Sequence, residues 1–294
     1  MNRTARTAVL ALSFSALCAA PALAGSSFTV VEGSAPDVVA GGVTTWFNGM
    51  YSYRSPTQRR QSLRASPRGH VTGVHMPDGR TSLDLIFGSG ARIVAFSSSA
   101  AAEAMTEQYS GTTWRDILGG TGRFLGAKGE VESIRWGSGV LGYGPFFMHN
   151  VQYSLPPRGT PRTTMAYVVK LGTPRIINRG GPGGVGNTRL ITGSILDAAR
   201  TRVGTYGVDS TLVFVYGAGT YEWYTGTYSY EFADGTLTAS GPYQRASASA
   251  PGALGASGRV VSSGTGAYSG MRGQVVVTAN PDGTATHSFT LIRR

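Results

Sequence analysis

Leu83, Leu85 and Phe87 alternate with Ser82, Asp84 and Ile86, which predicts a β-strand with one strongly apolar face. The same period of two runs through Tyr221–Phe232. There Glu222, Tyr224, Tyr228, Tyr230 and Phe232 share one face, while Tyr221, Trp223, Thr225, Thr227, Ser229 and Glu231 share the other. Further strand-like runs cover residues 44–53, 131–136, 146–155, 165–171, 189–196, 202–206, 211–216, 236–241, 259–263, 274–278 and 286–292. Turn signals separate them, among them Pro77-Asp78-Gly79 and the glycine-rich stretches 137–144 and 180–186. Residues 58–67 read as a polar, Arg-rich loop. Only 97–109, with Ala100–Ala102, Glu103, Ala104 and Met105, has the composition of a helix. Short strands at regular spacing predict an all-β barrel or sandwich.

A glycine-rich phrase occurs twice, as GGTGRFLGAKGEV from Gly119 and as GTGAYSGMRGQV from Gly264. A phosphate cradle needs a helix after its glycines, because the helix N-terminus supplies the N–H donors. Here the glycines lead into EVESIRW and QVVVTAN, which are strand sequences, and no Lys-Ser/Thr pair follows. The glycines therefore read as turn and bulge positions between antiparallel strands.

The repetition extends beyond the phrase. Gly120, Thr121, Gly122, Phe124, Gly126, Lys128 and Gly129 match Gly264, Thr265, Gly266, Tyr268, Gly270, Arg272 and Gly273. Downstream, HNVQYSL from His149 matches HSFTLIR from His287, and upstream Asp78-Gly79 is set against Asp234-Gly235. One β-meander is written twice. The sequence YEFADGTLTASGPY, then GRVVSSGTGAYSGMRGQVVV, then HSFTLIRR resembles the allene oxide cyclase-like and dirigent-like barrel superfamily. The match covers residues 202–294, and in the first half WRDILGGTGRFLGAKGEVES is similar. This resemblance implies two tandem eight-stranded antiparallel β-barrels with an apolar cavity open at one end. Members cyclise an oxylipin epoxide or steer the coupling of phenoxy radicals, in a shaped cavity and without a cofactor. The chain departs from the plant enzymes in lacking the dirigent D-D-P-L-T-like segment and, after residue 24, any cysteine.

Composition refines this picture. Arg3 and Arg6 precede an apolar run over 8–20, and Ala22-Leu23-Ala24 forms a small-x-small cleavage site. Residues 1–24 therefore read as a secretory signal, and the run is too short to span a membrane. Cys18, the only cysteine, leaves with it, so stability must come from packing without disulfides. The expected domains are a first barrel over 25–155, a Pro/Gly-rich linker over 156–162 and a second barrel over 163–294. Net charge is +11, falling by two to +9 once Arg3 and Arg6 leave. Nearly all of it is arginine. Such a surface can attract anionic cell-surface polymers. It carries no basic helix and no base-stacking aromatic motif, so nucleic acid is not an expected partner.

Candidate chemistry concentrates in the second barrel. An inward row of Tyr224, Tyr228 and Tyr230 would line an aromatic pocket, with Glu222 near the rim as the proton acceptor. An apolar mouth would raise the Glu222 pKa toward the range suited to acid–base work. Tyr243 and Tyr268 join the candidate ligand-binding set; core packing is the competing reading for every tyrosine. His149 and His287 occupy matching positions, which points to a structural role, and the four histidines lack metal-site spacing. Glu130 and Glu132 beside Arg135 could form an acid–base set, or simply a solvated strand face. Two functions stay open. One is a secreted, cofactor-free barrel, without a metal, that binds a hydrophobic or phenolic molecule and steers its cyclisation or coupling. The other is a non-catalytic secreted or envelope protein with inert barrels and a basic surface. Exported protein is expected to begin at Gly25. Intact-mass measurement on the periplasm or medium checks this, and retention of residues 1–24 would overturn it.

Overall fold

The computed structural model describes residues 26–32, 38–40, 42–52, 69–76, 79–88, 90–97, 112–136, 146–216, 221–246 and 257–293. The secretory segment 1–24, the loop 58–67, the turn 137–144 and all but Ser97 of the expected helix lie outside the described residues. Ser97 itself ends a strand.

Nine strands form the first sheet: β1 (Ser26–Glu32), β2 (Val38–Ala40), β3 (Val43–Ser52), β4 (Gly69–His75), β5 (Thr81–Phe87), β6 (Arg92–Ser97), β7 (Thr112–Thr121), β8 (Lys128–Trp136) and β9 (Phe146–Ser154). Nine more form the second: β10 (Thr163–Leu171), β11 (Arg175–Ile177), β12 (Thr188–Leu196), β13 (Arg202–Tyr216), β14 (Tyr221–Phe232), β15 (Gly235–Ala246), β16 (Ser257–Gly264), β17 (Met271–Ala279) and β18 (Ala285–Arg293). Their orders are β1-β9-β8-β7-β6-β5-β4-β3-β2 and β10-β18-β17-β16-β15-β14-β13-β12-β11. All pairings are antiparallel, and the two meanders have the same order strand for strand. β1 also pairs with β3, and β10 with β12, so each meander closes into a ring of eight strands with one short strand outside it. The chain is an all-β protein of eight-stranded antiparallel barrels.

The repeated glycine phrase is a 3₁₀ turn in both halves, Gly122–Phe124 between β7 and β8 and Gly266–Tyr268 between β16 and β17. Gly122 and Gly266 take φ of 60° and 58° there, a left-handed conformation that costs glycine nothing. A β-carbon on Gly129 or Gly273 would strike the Gln152 or Thr290 carbonyl of the neighbouring strand. Two sequence readings need correction. Residues 202–206 and 211–216 belong to one strand, β13, which carries a register shift between Leu212 and Phe214. The two Asp-Gly pairs are not equivalent: Gly79 lies in the β4–β5 connection, whereas Asp234-Gly235 joins β14 to β15, the counterpart of β5–β6.

Inside the first barrel Val30, Leu83, Leu85, Ile93, Ile117 and Val131 belong to one buried cluster. Inside the second, Ile195, Tyr206, Tyr228, Tyr230, Leu237 and Phe289 do the same. Each such side chain contributes about 1.5–3 kcal/mol by leaving water. The outer faces of β3, β4, β6 and β7 pack against those of β13, β14, β16 and β17. Val43, Val74 and Val213 form a small apolar cluster there, and Phe47 stacks on Phe214 at 4.6 Å. Polar bonds cross the same junction. Arg92 donates to the carbonyls of Pro242 and Gly258 at 2.7 and 2.6 Å, and Arg272 donates to that of Leu118 at 2.9 Å. Replacing Arg92 by Ala strands one buried and one part-buried acceptor, a cost of about 2–3 kcal/mol. Scanning calorimetry of Arg92→Ala is expected to show a melting point lower by roughly 5–10 °C.

Candidate functional site

Strand period places the tyrosines of β14 in the second barrel. Tyr228 and Tyr230 are two residues apart, so both point inward, and they are 1% and 0% exposed. Tyr224 belongs to the same row and is buried too. Directly across the ladder, Tyr224 faces Tyr243 of β15, and the rings stack with centroids 4.9 Å apart. Glu222 likewise faces Arg245, with Oε2 3.7 Å from its guanidinium, and accepts a hydrogen bond from the Tyr224 hydroxyl at 3.0 Å. The apolar surroundings expected for Glu222 are therefore absent, since a cation and a phenol stand beside it. Tyr268 is apart from this group. It lies at the other end of β14, against Phe232 at 5.3 Å, eight residues and roughly 27 Å along the strand from Tyr224.

The residue that ties the tyrosines together is one the sequence reading did not select. Arg259 of β16 points inward two positions from Val261 and is buried. Its guanidinium carbon lies 4.0 Å from the Tyr228 ring centroid and 5.6 Å from that of Tyr243. Nε and Nη1 of Arg259 are buried and have no hydrogen-bond partner among the described residues, and the same holds for Nε of Arg189. Arg189 also donates to the Tyr243 hydroxyl at 3.3 Å, and Ser210 meets that hydroxyl at 3.2 Å. Burial holds the phenols of Tyr206, Tyr228 and Tyr230 above the ordinary tyrosine value, with the charge of Arg259 pulling the other way. His287 shares a hydrogen bond with the Tyr230 hydroxyl at 2.9 Å. Burial, and then the charge of Arg259, keep its pKa well below 6.5. This part of the barrel interior thus combines stacked phenol rings, a neutral imidazole and buried guanidinium nitrogens that lack acceptors among the described residues. Such donors are completed by an anionic or carbonyl oxygen.

The first barrel places its equivalent residues differently. Arg115 precedes its Gly-Thr-Gly by the same five positions as Arg259, and His149 matches His287. Arg115 donates to Thr81 Oγ1 at 3.0 Å and to Ser133 Oγ at 2.8 Å. Ser133 Oγ is 2.8 Å from His149 Nδ1, and His149 Nε2 is 2.8 Å from Glu32 Oε2. A carboxylate only accepts, so in the neutral ring Nε2 carries the proton and Nδ1 accepts from Ser133. This buried chain satisfies itself: none of its side-chain atoms is among the buried described atoms that lack a partner. Neither barrel holds the proposed pair Glu130 and Glu132 inside; Glu130 is exposed, and Glu132 accepts from Asn150 at 2.9 Å. Among the described residues no group of three or more His, Cys, Asp or Glu could hold a metal ion, and no helix is long and apolar enough to cross a membrane.

No protein-family description and no curated protein sequence matches the chain. Solved structures do. A pyocyanin demethylase is 20% identical, covering 44% of this chain and 99% of its own, with a TM-score of 0.35. A nonspecific heme-binding cyclase that catalyses a [4 + 2] cycloaddition in neoabyssomicin biosynthesis is 16% identical over 46% of this chain and 68% of its own, with a TM-score of 0.34. The Diels Alderase AbmU from Streptomyces koyangensis is 16% identical over 47% and 70%, with a TM-score of 0.33. At these identities and scores the likeness does not bear on function.

His287 makes a prediction about pH. The unfolded chain titrates this group near 6.5 and the folded chain well below it, so its contribution is complete above pH 6.5 and lost as pH falls beneath. Urea unfolding at pH 7.5 and pH 5 is expected to show wild type losing about 1–2 kcal/mol relative to His287→Phe, from at most about 1.4 kcal/mol per pH unit.

Proposed function

We propose that this chain is an exported, cofactor-free barrel protein that binds a hydrophobic or phenolic small molecule in its second barrel. The observation that carries the reading is Arg259, buried among Tyr206, Tyr228, Tyr230 and Tyr243 with two guanidinium nitrogens that have no hydrogen-bond partner among the described residues. A phenolic guest supplies what the chamber lacks. Its ring stacks beside Tyr224 and Tyr243, and its oxygen accepts from Arg259. Charge developing on that oxygen during cyclisation or radical coupling would be stabilised by the same donors, and a rigid chamber selects one conformer of the guest. This is the mode of action that the resemblance to allene oxide cyclase-like and dirigent-like barrels implies. In that role Arg259 and the tyrosines bind and orient, and Glu222, tied to Tyr224 and Arg245, is the proton acceptor at the rim. The tight filling around Tyr228 and Tyr230 favours a second reading, in which the barrels are inert scaffolds for a basic surface.

Fluorescence titration with 1-naphthol and its methyl ether separates the two. Wild type is expected to bind naphthol more tightly than the ether. Arg259→Met should weaken naphthol tenfold to a hundredfold while leaving the ether unchanged, since a hydrogen bond to a charged group contributes about 1.5–3 kcal/mol. Tyr228→Phe keeps the ring and should fold normally with altered naphthol binding. Equal binding of every probe by Arg259→Met, Tyr228→Phe, Glu222→Gln and wild type would establish the scaffold reading instead.

A further inference from the structure

A cavity lies outside both barrels, in the cleft where their outer faces meet, with a volume of about 120 Å³. Its back wall holds Asp84 of β5, whose neighbours Leu83 and Leu85 point into the first barrel, so that Asp84 points out of it. An outward carboxylate would ordinarily be solvated. Here the second barrel covers it, and Asp84 is 0% exposed. Thr225 of β14 reaches across the junction and donates to Oδ2 at 2.6 Å, and Thr72 of β4 does so at 3.4 Å. Oδ1 is buried and has no hydrogen-bond partner among the described residues. Asp209, exposed on β13, provides a second carboxylate on the cleft wall, and Val94, Phe96 and Leu118 provide an apolar one.

A buried carboxylate oxygen without a donor is costly, and a hydrogen-bonded cation relieves that cost best. Two cations of the protein are near. Arg80 lines the cleft, and Arg92 attracts Asp84 from a distance while donating to the carbonyls of Pro242 and Gly258. The hydrogen bonds of Arg92 go to those carbonyls and not to Oδ1 of Asp84. Burial pushes the Asp84 carboxyl up to about 6, so at pH 7.5 it is ionised and needs a partner.

We infer that the cleft between the barrels is a binding site for a small organic amine, its ammonium group held by Asp84 and Asp209 and its hydrocarbon part lying on Val94, Phe96 and Leu118. The apolar wall sets an amine apart from a bare metal ion, which would gain nothing from Phe96 or Leu118. The cavity has room for a chain of a few carbons. The site is independent of the chamber around Arg259, whose cationic interior repels an ammonium group.

Calorimetric titration of the whole chain at pH 7.5 with butylammonium chloride tests this, with butanol and potassium chloride as controls at matched ionic strength. Wild type is expected to bind butylammonium with millimolar affinity, to ignore butanol, and to show no matching heat with potassium. Asp84→Asn should weaken butylammonium at least tenfold, Asp209→Asn severalfold, and Arg259→Met not at all. Should Asp84→Asn fail to fold, the exposed Asp209→Asn and the butanol control decide. Unchanged affinity in the aspartate variants, or equal binding of butanol, overturns the proposal. Equal binding of potassium shows an inorganic cation site and overturns it as well.

Discussion

Closure of each sheet onto itself governs the molecule. In the second barrel β10 meets β12 over four residue pairs, Val168 with Leu196 through Leu171 with Gly193. Once that seam forms, no free edge remains in the ring, and every second residue on eight strands is committed to an enclosed interior. An inward side chain must then pack against others or find a polar partner, because water cannot reach it. The glycine turns serve the same constraint. They let β16 and β17 reverse tightly, and Gly273 gives β18 room to lie close.

The two barrels answer that demand in different ways, although their strand orders match. Each sends an arginine inward five residues before its Gly-Thr-Gly, and each places a histidine on its last strand. In the first barrel Glu32, His149, Ser133, Arg115 and Thr81 complete one another's hydrogen bonds. Buried polar groups are tolerable in such a closed network, and its effect is to fix the core. In the second barrel tyrosines replace the short hydroxyls. Their rings cover the faces of Arg259, and its Nε and Nη1 are left without acceptors among the described residues. The matching arginine thus sits in a closed hydrogen-bond network in one barrel and keeps two nitrogens without a hydrogen-bond partner among the described residues in the other.

Where the barrels meet, outward residues become interior ones. Asp84, Thr225, Arg92 and Val260 occupy positions that a lone barrel would show to water. Their burial gives the junction its polar character, with arginines donating to backbone carbonyls and a threonine donating to a carboxylate.

Much of the fold was legible in the chain itself. Alternation in Tyr221–Phe232 marked the inward face of β14, and the glycine phrase marked both turns, because a pleat has a period of two and a left-handed turn selects glycine. The internal repeat foretold two meanders of one order. The same repeat also contained a signal for Arg115 and Arg259, at one spacing from Gly-Thr-Gly. Sequence alone could not say which arginine would be paired, since the partners of Arg115 stand on β5 and β8 and those of Arg259 on β14 and β15. Nor could it separate Tyr268 from Tyr224, or show that Asp84 is covered by another barrel. Periodicity is a local property of one strand and determines which face a residue takes. What that face meets is decided by closure and docking, which bring together residues more than a hundred positions apart.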